Sequence, residues 1–398
     1  MAGKTLEQRR AWRGLRLILV ESALTRVIIS MPIMVLFFNS IGMNQAQIAL
    51  SQAVFAVVLL VLNVPLSWVA DRFSRKWCNV IGNFGAALGF GLYALSQNFY
   101  HVVLCEILLG VFMSFSHSID AAMTKDYASK IDRTGRLFAK RWALMATWGL
   151  VAEMVGYLVG GPIGAMSYRL AIGASAVTMG VGGVLALFLH DSEEKLANVH
   201  KNPLRDMWRV VKVCVGRPKL RWWMAGLMVA NEITHVMMWP MTPLLLVAGV
   251  PATWLGVAWV VNTLAAVVGA RIAGRFVGRL RGREWMIFAL PIGVVSLSLV
   301  GMILSLNLVT VWLFAGLGFA RGWTSATIPA IIQNNAPKSM EATTMGLAKT
   351  AGRVLYIPTV YIVGWACDFS VTWAMVATLV IFVPLAMIVG WKIRHFEK

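Results

Sequence analysis

Long apolar stretches recur along the whole sequence, and short turns that hold most of the charged residues separate them. A helix that crosses a bilayer needs about 20 mainly apolar residues. Twelve segments meet this requirement: 16–38, 46–69, 77–96, 101–125, 140–164, 168–190, 220–247, 252–275, 284–304, 309–333, 341–365 and 371–393. Because most of the turns between them are short, we expect neighbouring helices to run antiparallel. The sequence therefore predicts an all-α, polytopic membrane protein with twelve transmembrane helices.

The composition excludes an ordinary soluble protein. Hydrophobic residues make up 59% of the 398 residues and charged residues only 13%, whereas charged residues make up about 25% of a typical soluble domain. A formal net charge of +19 can indicate nucleic-acid binding. Here, however, the cations lie between the apolar segments, where they orient helices in a membrane. We therefore expect the protein to contact the lipid bilayer and no nucleic acid.

The distribution of lysine and arginine predicts the orientation of the helices, because cytoplasmic loops of membrane proteins are enriched in these residues. With the N-terminus inside, almost all of the 36 Lys and Arg residues fall in cytoplasmic segments, and only Arg169 falls in an outer turn. An even number of helices then places both termini in the cytoplasm. No Asn-x-Ser/Thr acceptor for glycosylation occurs, which favours a bacterial inner membrane.

One long polar segment divides the chain into two halves of six helices. We assign 1–190 to an N-terminal six-helix bundle, 191–219 to a cytoplasmic linker and 220–398 to a C-terminal six-helix bundle. The halves share a feature, since VADRFSRK follows the second segment and GARIAGRFVGRLRGRE follows the eighth. Two six-helix halves joined by a long linker are typical of transporters built from repeats.

The turn after the second segment resembles the signature of the major facilitator superfamily. That signature reads approximately Gly-x-x-Ala-Asp-Arg-x-Gly-Arg-Lys/Arg, and Asp71, Arg72, Arg75 and Lys76 match it. Both signature glycines are serines here, at positions 67 and 74. The sequence from position 32 to 76, and around positions 118 to 126, is also similar to a bacterial branch of drug or metabolite permeases. The resemblance covers essentially the whole chain and implies a transporter without indicating its cargo.

The resemblance also implies a conformational latch at this turn. In the superfamily, the position of Asp71 lies near the start of the eleventh helix in the outward-facing state, where the helix dipole favours a carboxylate. The position of Arg75 is expected to pair with an acid at the cytoplasmic end of the fourth helix, and Asp126 fits. Arg72 and Lys76 complete the latch. The alternative is that these charges only set the topology.

A glycine-rich stretch in the fifth segment resembles a motif of antiporters in the same superfamily. It contains four glycines and one proline: Gly156, Gly160, Gly161, Pro162 and Gly164. Small residues four positions apart let two helices approach closely. The stretch favours an exporter, and the alternative interpretation is a packing face for the eighth helix.

Ionisable side chains within membrane spans are costly and are usually functional or paired. At 1.5 Å per residue, Arg26, Glu232, Arg321 and Arg353 lie about 15 to 18 Å into their segments, near the midplane where substrates of such transporters bind. The resemblance implies that helices 1, 4, 7 and 10 line a central cavity, and Arg26, Asp120, Glu232 and Arg321 lie on them. We expect these residues to contact substrate or carry protons. The alternative is fixed ion pairs, such as Glu232 with Arg321 or Arg353.

Proton coupling requires an acid that is neutral in one state of the transport cycle and charged in another. Burial disfavours the charged form, and a nearby cation favours it. Asp120, Glu153 and Glu232 are the candidates for this role. His235 and Trp239 share a helical face with Glu232 and extend the predicted cavity surface.

Further ionisable residues lie in the apolar segments, and three of them are Glu21, Glu106 and His117. Glu21 and Glu106 are nearer to the ends of their segments, so we expect both to reach the membrane surface. His117 is three residues before Asp120 and shares its helical face. A histidine at such a position either relays protons or packs as a neutral residue.

These features predict a secondary active transporter that moves a small organic molecule by alternating access, with proton-coupled export by antiport as the first hypothesis. The alternative is proton-coupled or facilitative import of a metabolite, such as an organic anion bound by Arg26, Arg321 and Arg353. No nucleotide-binding loop, metal-ligand spacing or clustered nucleophile occurs. We therefore expect no enzyme activity, no metal and no cofactor other than an ion gradient, and we expect a monomer.

Overall fold

The computed structural model describes residues 6–116, 119–132, 134–191, 203–280, 283–336 and 341–396. These residues form helices joined by turns, and no strand occurs among them, which confirms the all-α prediction. The α-helices are α1 Leu6–Leu24, α2 Met34–Ser40, α3 Gln45–Arg72, α4 Arg75–Leu95, α5 Phe99–Ser116, α6 Ile119–Ser129, α7 Arg136–Met166, α8 Tyr168–Leu187, α9 Pro203–Gly216, α10 Pro218–His235, α11 Met241–Val247, α12 Leu255–Phe276, α13 Trp285–Leu304, α14 Ala315–Asn335, α15 Glu341–Phe369 and α16 Val371–His395.

Short 3₁₀ helices precede or follow several of these α-helices: Met31–Ile33, Val236–Met238, Ala252–Trp254, Val277–Leu280 and Thr310–Phe314. By length and composition, eight helical stretches of the described chain can cross a membrane: Gln45–Asn63, Arg75–Leu95, Phe99–Ser129, Arg136–Met166, Tyr168–Leu187, Ala252–Phe276, Trp285–Leu304 and Val371–His395. The other four predicted spans differ from these eight. The first and seventh are divided into shorter helices, and the tenth and eleventh carry arginines and buried threonines. The count of twelve crossings and the cytoplasmic position of the termini stay predictions.

The first predicted span is interrupted between α1 and α2. A proline lacks a backbone N–H and clashes with the preceding helical turn, and Pro32 lies at the start of the 3₁₀ helix in this gap. Hydroxyl groups of α8 satisfy the freed backbone groups: Thr178 donates to the carbonyl of Val27 at 2.9 Å, and Ser175 Oγ accepts from the N–H of Ser30 at 2.9 Å. The interruption is therefore built into the packing of α8 on this span.

The seventh predicted span is interrupted at the corresponding place in the second half. Helix α10 ends at His235, a 3₁₀ helix follows, and Pro240 precedes α11. Both halves of the chain thus begin with a helix that breaks after about five turns. At each break, charged or aromatic residues lie at a helix end, where some backbone N–H and C=O groups form no hydrogen bond within the helix.

The chain divides into two compact units. The N-terminal unit comprises residues 1–37 and 58–203, and the C-terminal unit comprises residues 38–57 and 204–398. The first part of α3 therefore groups with the C-terminal unit. Helix α9 lies within the segment assigned to the linker. The boundaries proposed at residues 190 and 220 stay predictions.

The interior of the N-terminal unit is formed by apolar faces of α1, α4, α6, α7 and α8. Buried residues there include Leu15, Ile18, Met123, Tyr127 and Met145. The ring of Tyr127 lies directly over Gly14, where an added methyl group would come within 2.8 Å of it. Its hydroxyl donates to the carbonyl of His190 at 2.5 Å. Helices α1, α6 and the end of α8 are thereby held together at one end of the unit.

The glycine motif of α7 packs on the interrupted first span. A methyl group at Gly156 would lie 3.1 Å from the backbone nitrogen of Ile28, and one at Gly160 would overlap the carbonyl oxygen of Ile29. Gly164 meets Ile33 in the same way, with 2.6 Å to its Cγ2 atom. Gly161 is buried and Pro162 lies exposed inside the helix. These three glycines therefore pack on the first predicted span, and packing of the motif on the eighth helix stays a prediction.

Candidate functional site

Arg26 and Glu153 form the first candidate pair, in the N-terminal unit. Arg26 lies just after the end of α1, and its Nη1 atom is 3.7 Å from Glu153 Oε1 on α7. The side chain lies across Gly149, where an added methyl group would come within 2.7 Å of Arg26 Cδ. Exposed fractions of 45% for Arg26 and 23% for Glu153 describe a partly solvated pair, which contributes little to stability.

Asp120 is the second acid near Arg26. It lies in the first turn of α6 and accepts a hydrogen bond from Ser22 Oγ of α1 at 2.8 Å. It also interacts electrostatically with Arg26. The structure thus places one guanidinium between two predicted proton-coupling acids, Asp120 and Glu153. His117 lies outside the described residues.

Glu21 is buried in the same unit, and the prediction that it reaches the membrane surface is wrong. Its side chain is 1% exposed, because two amides on one face of α4 enclose it. Asn83 Nδ2 donates to Glu21 Oε1 at 2.6 Å, and Asn79 Nδ2 lies 3.4 Å from the same oxygen. The other carboxylate oxygen is buried without a hydrogen-bond partner among the described residues. Glu21 also interacts electrostatically with Asp120, so it lies near the other predicted acids of this unit.

Glu106 is also buried, so the corresponding prediction is wrong for it as well. It is 4% exposed and accepts a hydrogen bond from the hydroxyl of Tyr93 at 2.6 Å. This pair joins α4 to α5. The hydrogen bond from Tyr93 gives the buried Glu106 a structural role. Glu21 is the one of these two acids that lies near Asp120.

Glu232 is the centre of a second cluster, in the C-terminal unit. Its side chain is buried at 6% exposure, and Oε2 lies 3.4 Å from His235 Nδ1. The other oxygen lies against Gly352 of α15, where an added methyl group would come within 2.5 Å of it. The next residue, Arg353, interacts electrostatically with Glu232. The cluster therefore joins the end of α10 to the middle of α15.

Aromatic residues extend this cluster beyond His235. Trp239 Nε1 donates to the hydroxyl of Tyr356 at 3.1 Å, and the ring of Trp239 lies 6.3 Å from that of Phe38. Tyr356 is three residues after Arg353 and so lies on the same face of α15. The turn that follows α10 thus contacts α15 through Trp239. Tyr356 and Gly352 were not recognised from sequence, because nothing in the sequence pairs them with α10.

Arg321 stands apart from these contacts. It lies in α14 and is partly buried, and the described residues offer it no ion pair within 4 Å. Neither Arg321 nor Arg353 forms an ion pair with Glu232 in the part of the chain described. The fixed ion pairs considered as an alternative are therefore not formed among the described residues, and the role of Arg321 stays a prediction.

The predicted latch is partly visible in the N-terminal unit. Arg75 forms an ion pair with Asp126, its predicted partner, and the two side chains are 14% and 27% exposed. Lys76 lies beside the ring of Trp77, with 5.7 Å from Nζ to the ring centre, and Arg72 is exposed. The side chain of Asp71 lies outside the described residues. The conformational role of the latch stays a prediction.

Ser74, which replaces a signature glycine, begins α4. Its Oγ accepts from the N–H of Trp77 at 3.1 Å, as an N-cap residue does. The hydroxyl also donates to Asp191, and the N–H of Lys76 lies 3.3 Å from the same carboxylate. The departure from the signature therefore has a structural role, which fixes the turn to the end of α8.

Asp368 caps a helix within the C-terminal unit. It lies at the end of α15, and its carboxylate accepts from the N–H groups of Gln45 at 2.6 Å and Ala46 at 3.0 Å. These groups open α3, and Gly364 packs against the same turn. A carboxylate at a helix N-terminus satisfies free N–H groups and interacts favourably with the helix dipole. Sequence analysis did not identify this contact.

Metal-binding clusters are not found among the described residues: no three His, Cys, Asp or Glu residues are placed to hold an ion. The four cysteines, Cys78, Cys105, Cys214 and Cys367, are buried, and none of them forms a disulfide. We therefore assign no metal ligand or disulfide.

Comparison with known proteins places this fold. The family model described as Major Facilitator Superfamily matches residues 22–359. The bacterial homologue of the human lysosomal transporter Spinster, in its inward-facing and unoccupied conformation, is 12% identical with a TM-score of 0.74, over 99% of this chain and 98% of that one. The nucleoside transporter NupG is also 12% identical, with a TM-score of 0.73 over 99% of this chain and 100% of that one. No curated protein sequence matches. The chain belongs to the Major Facilitator Superfamily and is a membrane transporter rather than an enzyme.

Proposed function

We propose that this protein is a proton-coupled transporter that exports a small, partly apolar organic molecule from a bacterial cell across the inner membrane. It acts as a monomer by alternating access, without a bound cofactor. The observation that carries the proposal is the group that Arg26 forms with three acids. Arg26 pairs with Glu153 and interacts electrostatically with Asp120, and Asp120 in turn interacts with Glu21. A carrier of protons needs acids whose charge responds to burial and to a movable cation, and this group supplies both.

The exchange of partners by Arg26 is the coupling step in this proposal. When Arg26 lies near Glu153, as in the structure, its effect on Asp120 is weaker than that of a contact ion pair. Movement of the guanidinium towards Asp120 would favour the charged form of Asp120 and release a proton. Movement back would favour the neutral form. Arg26 lies within the interruption of the first span, just after α1 ends, so its backbone is not fixed by helical hydrogen bonds and can change geometry in this step.

Glu232, His235, Trp239 and Tyr356 form the substrate-binding surface of the proposal. Aromatic rings stack on apolar or cationic compounds, and a buried carboxylate fixes a cationic or hydrogen-bonding group. This combination supports an amphipathic organic substrate. The glycine motif of α7 agrees with export only through its resemblance to antiporters.

Arg321 favours a second candidate function, the uptake of an organic anion. It is partly buried in α14 and has no acid partner within the described residues, and Arg353 lies next to the binding surface. An anionic substrate would neutralise one or both guanidinium groups. Export of an amphipathic compound would supply no anionic group for Arg321. The variant Arg321→Gln therefore distinguishes the two functions, because only uptake of an anion would require the guanidinium.

Proton movement into proteoliposomes that contain a pH-sensitive dye tests the proposal. Cationic drugs, sugars, amino acids and organic anions are added in turn to the native protein and to Glu232→Gln and Asp120→Asn. We expect one compound class to drive a proton flux that Asp120→Asn abolishes. Glu106→Gln is the matched control, since Glu106 is a buried acid outside the cluster. Substrate equilibration without proton flux would contradict proton coupling, and a flux driven only by anions and lost in Arg321→Gln would support uptake.

A further inference from the structure

A surface groove of about 890 Å³ lies at one end of the N-terminal unit. The first turns of α1, the start of α4, the end of α6 and the residues that follow α8 form its walls. Three of the stretches that can cross a membrane begin or end there: Arg75–Leu95, Phe99–Ser129 and Tyr168–Leu187. The groove therefore lies at the level of the membrane surface.

Cations in this groove exceed the acids that could neutralise them. Of its two acids, Glu7 pairs with Lys130 at 3.4 Å, and Asp191 is bound by the hydroxyl of Ser74 and faces the backbone N–H of Lys76. Three cations of the groove have no acid partner among the described residues: Arg10, Arg13 and Lys76. The groove thus carries a local positive charge that its own acids leave unbalanced.

Apolar side chains border the same groove and point to a ligand with an apolar part. Trp77, Phe188 and Leu6 line it and are 55%, 54% and 69% exposed. Tryptophan is enriched where the hydrocarbon of a bilayer meets its headgroups. Inorganic phosphate or a soluble anion would leave these side chains uncovered, whereas the acyl chains of a lipid would cover them.

We propose that the groove binds the phosphate-bearing headgroup of an anionic phospholipid. Arg10 and Arg13 of α1 and Lys76 of α4 would hold the headgroup, and Trp77 and Phe188 would contact its chains. Anionic lipids attract basic residues near the membrane surface. The lipid would join the start of α1 to the turn that carries Arg75, since Lys76 is the next residue. Binding would therefore stabilise the turn in which the ion pair of Arg75 with Asp126 forms.

Lipid titration of the purified full-length protein by native mass spectrometry tests this proposal, with phosphatidylglycerol and phosphatidylcholine as probes. The test variant carries Arg10→Gln, Arg13→Gln and Lys76→Gln. The control variant carries Arg271→Gln, Arg275→Gln and Arg283→Gln, which remove three exposed cations of the C-terminal unit. We expect the tightest phosphatidylglycerol site to weaken about a hundredfold in the test variant, because each cation contributes about a factor of five. The control should keep that site.

Several results would overturn the proposal. Equal affinity for phosphatidylglycerol in the test and control variants would mean that these cations are not the site. Equal affinity of the native protein for both lipids would exclude recognition of an anionic headgroup. Displacement of phosphatidylglycerol by millimolar inorganic phosphate would indicate a site for a free anion instead. If the triple variant does not fold, Arg13→Gln alone should weaken binding about fivefold, and unchanged binding would count against the groove.

Discussion

The carboxylate of Asp368 accepts the backbone N–H of Gln45 at 2.6 Å, so the end of α15 caps the beginning of α3. Replacing an N-cap acid by alanine costs about 1 kcal/mol. We expect Asp368→Ala to lower the free energy of unfolding by about that amount, and Asp368→Asn to lower it less because an amide oxygen still accepts a hydrogen bond. Thermal unfolding in detergent measures both. Equal unfolding temperatures for Asp368→Ala and the native protein would show that water replaces the cap.

The ion pair of Arg75 with Asp126 predicts a reciprocal effect of charge reversal. Either Arg75→Asp or Asp126→Arg alone places like charges together and should slow transport, while the double exchange should recover part of the rate. A change of about 1 kcal/mol between two conformations alters their ratio about fivefold. Initial uptake rates in proteoliposomes measure this effect. If the double exchange is no better than the worse single variant, the pair is not the element that controls the rate.

The close approach of Gly160 to Ile29 predicts a large effect of one methyl group. Gly160→Ala would overlap the carbonyl oxygen of Ile29, and overpacking of this kind costs about 1 to 3 kcal/mol. Gly173→Ala is the matched control, because no atom lies within 4 Å of the added methyl group and alanine favours a helix over glycine by about 0.5 to 1 kcal/mol. Thermal unfolding should therefore shift in opposite directions. A neutral Gly160→Ala would mean that the first span moves away easily.

Glu21 is buried beside Asn79 and Asn83, so a variant that removes its charge and a variant that removes its hydrogen-bond donor should have different effects. Glu21→Gln keeps the shape and should fold normally, yet it should reduce proton flux if Glu21 shares a proton with Asp120. Asn83→Ala removes the donor at 2.6 Å and should lower stability by about 1 to 3 kcal/mol, since the carboxylate oxygen loses its partner. Dye-based flux and thermal unfolding separate these effects. Unchanged flux in a folded Glu21→Gln variant would assign Glu21 a structural role only.

Asp132 predicts a pH dependence in the turn before α7. Hydrogen bonds from the Thr134 hydroxyl and from the N–H groups of Thr134 and Leu137, together with the charge of Arg136, lower the pKa of this carboxyl. A lowered pKa in the folded state gives a stabilisation that is present at neutral pH and is lost as the pH falls through that lowered value. The stabilities of the native protein and of Asp132→Asn should therefore converge as the pH falls through that lowered value. A difference that persists unchanged there would contradict this assignment.

The sequence was sufficient to predict where charged residues occur along the helices, because a charge inside an apolar segment is visible without a structure. The sequence was also sufficient to predict the family and to predict Asp126 as the partner of Arg75. It could not show the rotation of each helix about its axis, which decides the partners. Glu21 meets Asn83 across 62 positions and Trp239 meets Tyr356 across 117 positions. Such contacts depend on how whole helices pack.

The interruption of the first span was missed for a related reason. Hydropathy continues without a gap from 16 to 38, so the segment reads as one helix. In the structure α1 ends at Leu24, Pro32 lies in the short 3₁₀ helix that follows the gap, and hydroxyl groups on α8 satisfy open backbone groups within the gap. Only the proline is a local signal. The position of Arg26 at a helix end, rather than within a helix, therefore depends on residues of α8 that lie far away in sequence.

The burial of all four cysteines has a practical consequence for labelling. A thiol-reactive fluorophore or spin label should react slowly with the native chain, because none of the thiols is at the surface. Single cysteines introduced at exposed helix ends could then be modified without first removing the natural ones. Pairs of such labels would report distances during turnover directly, in a protein whose sequence and interior packing are otherwise unaltered.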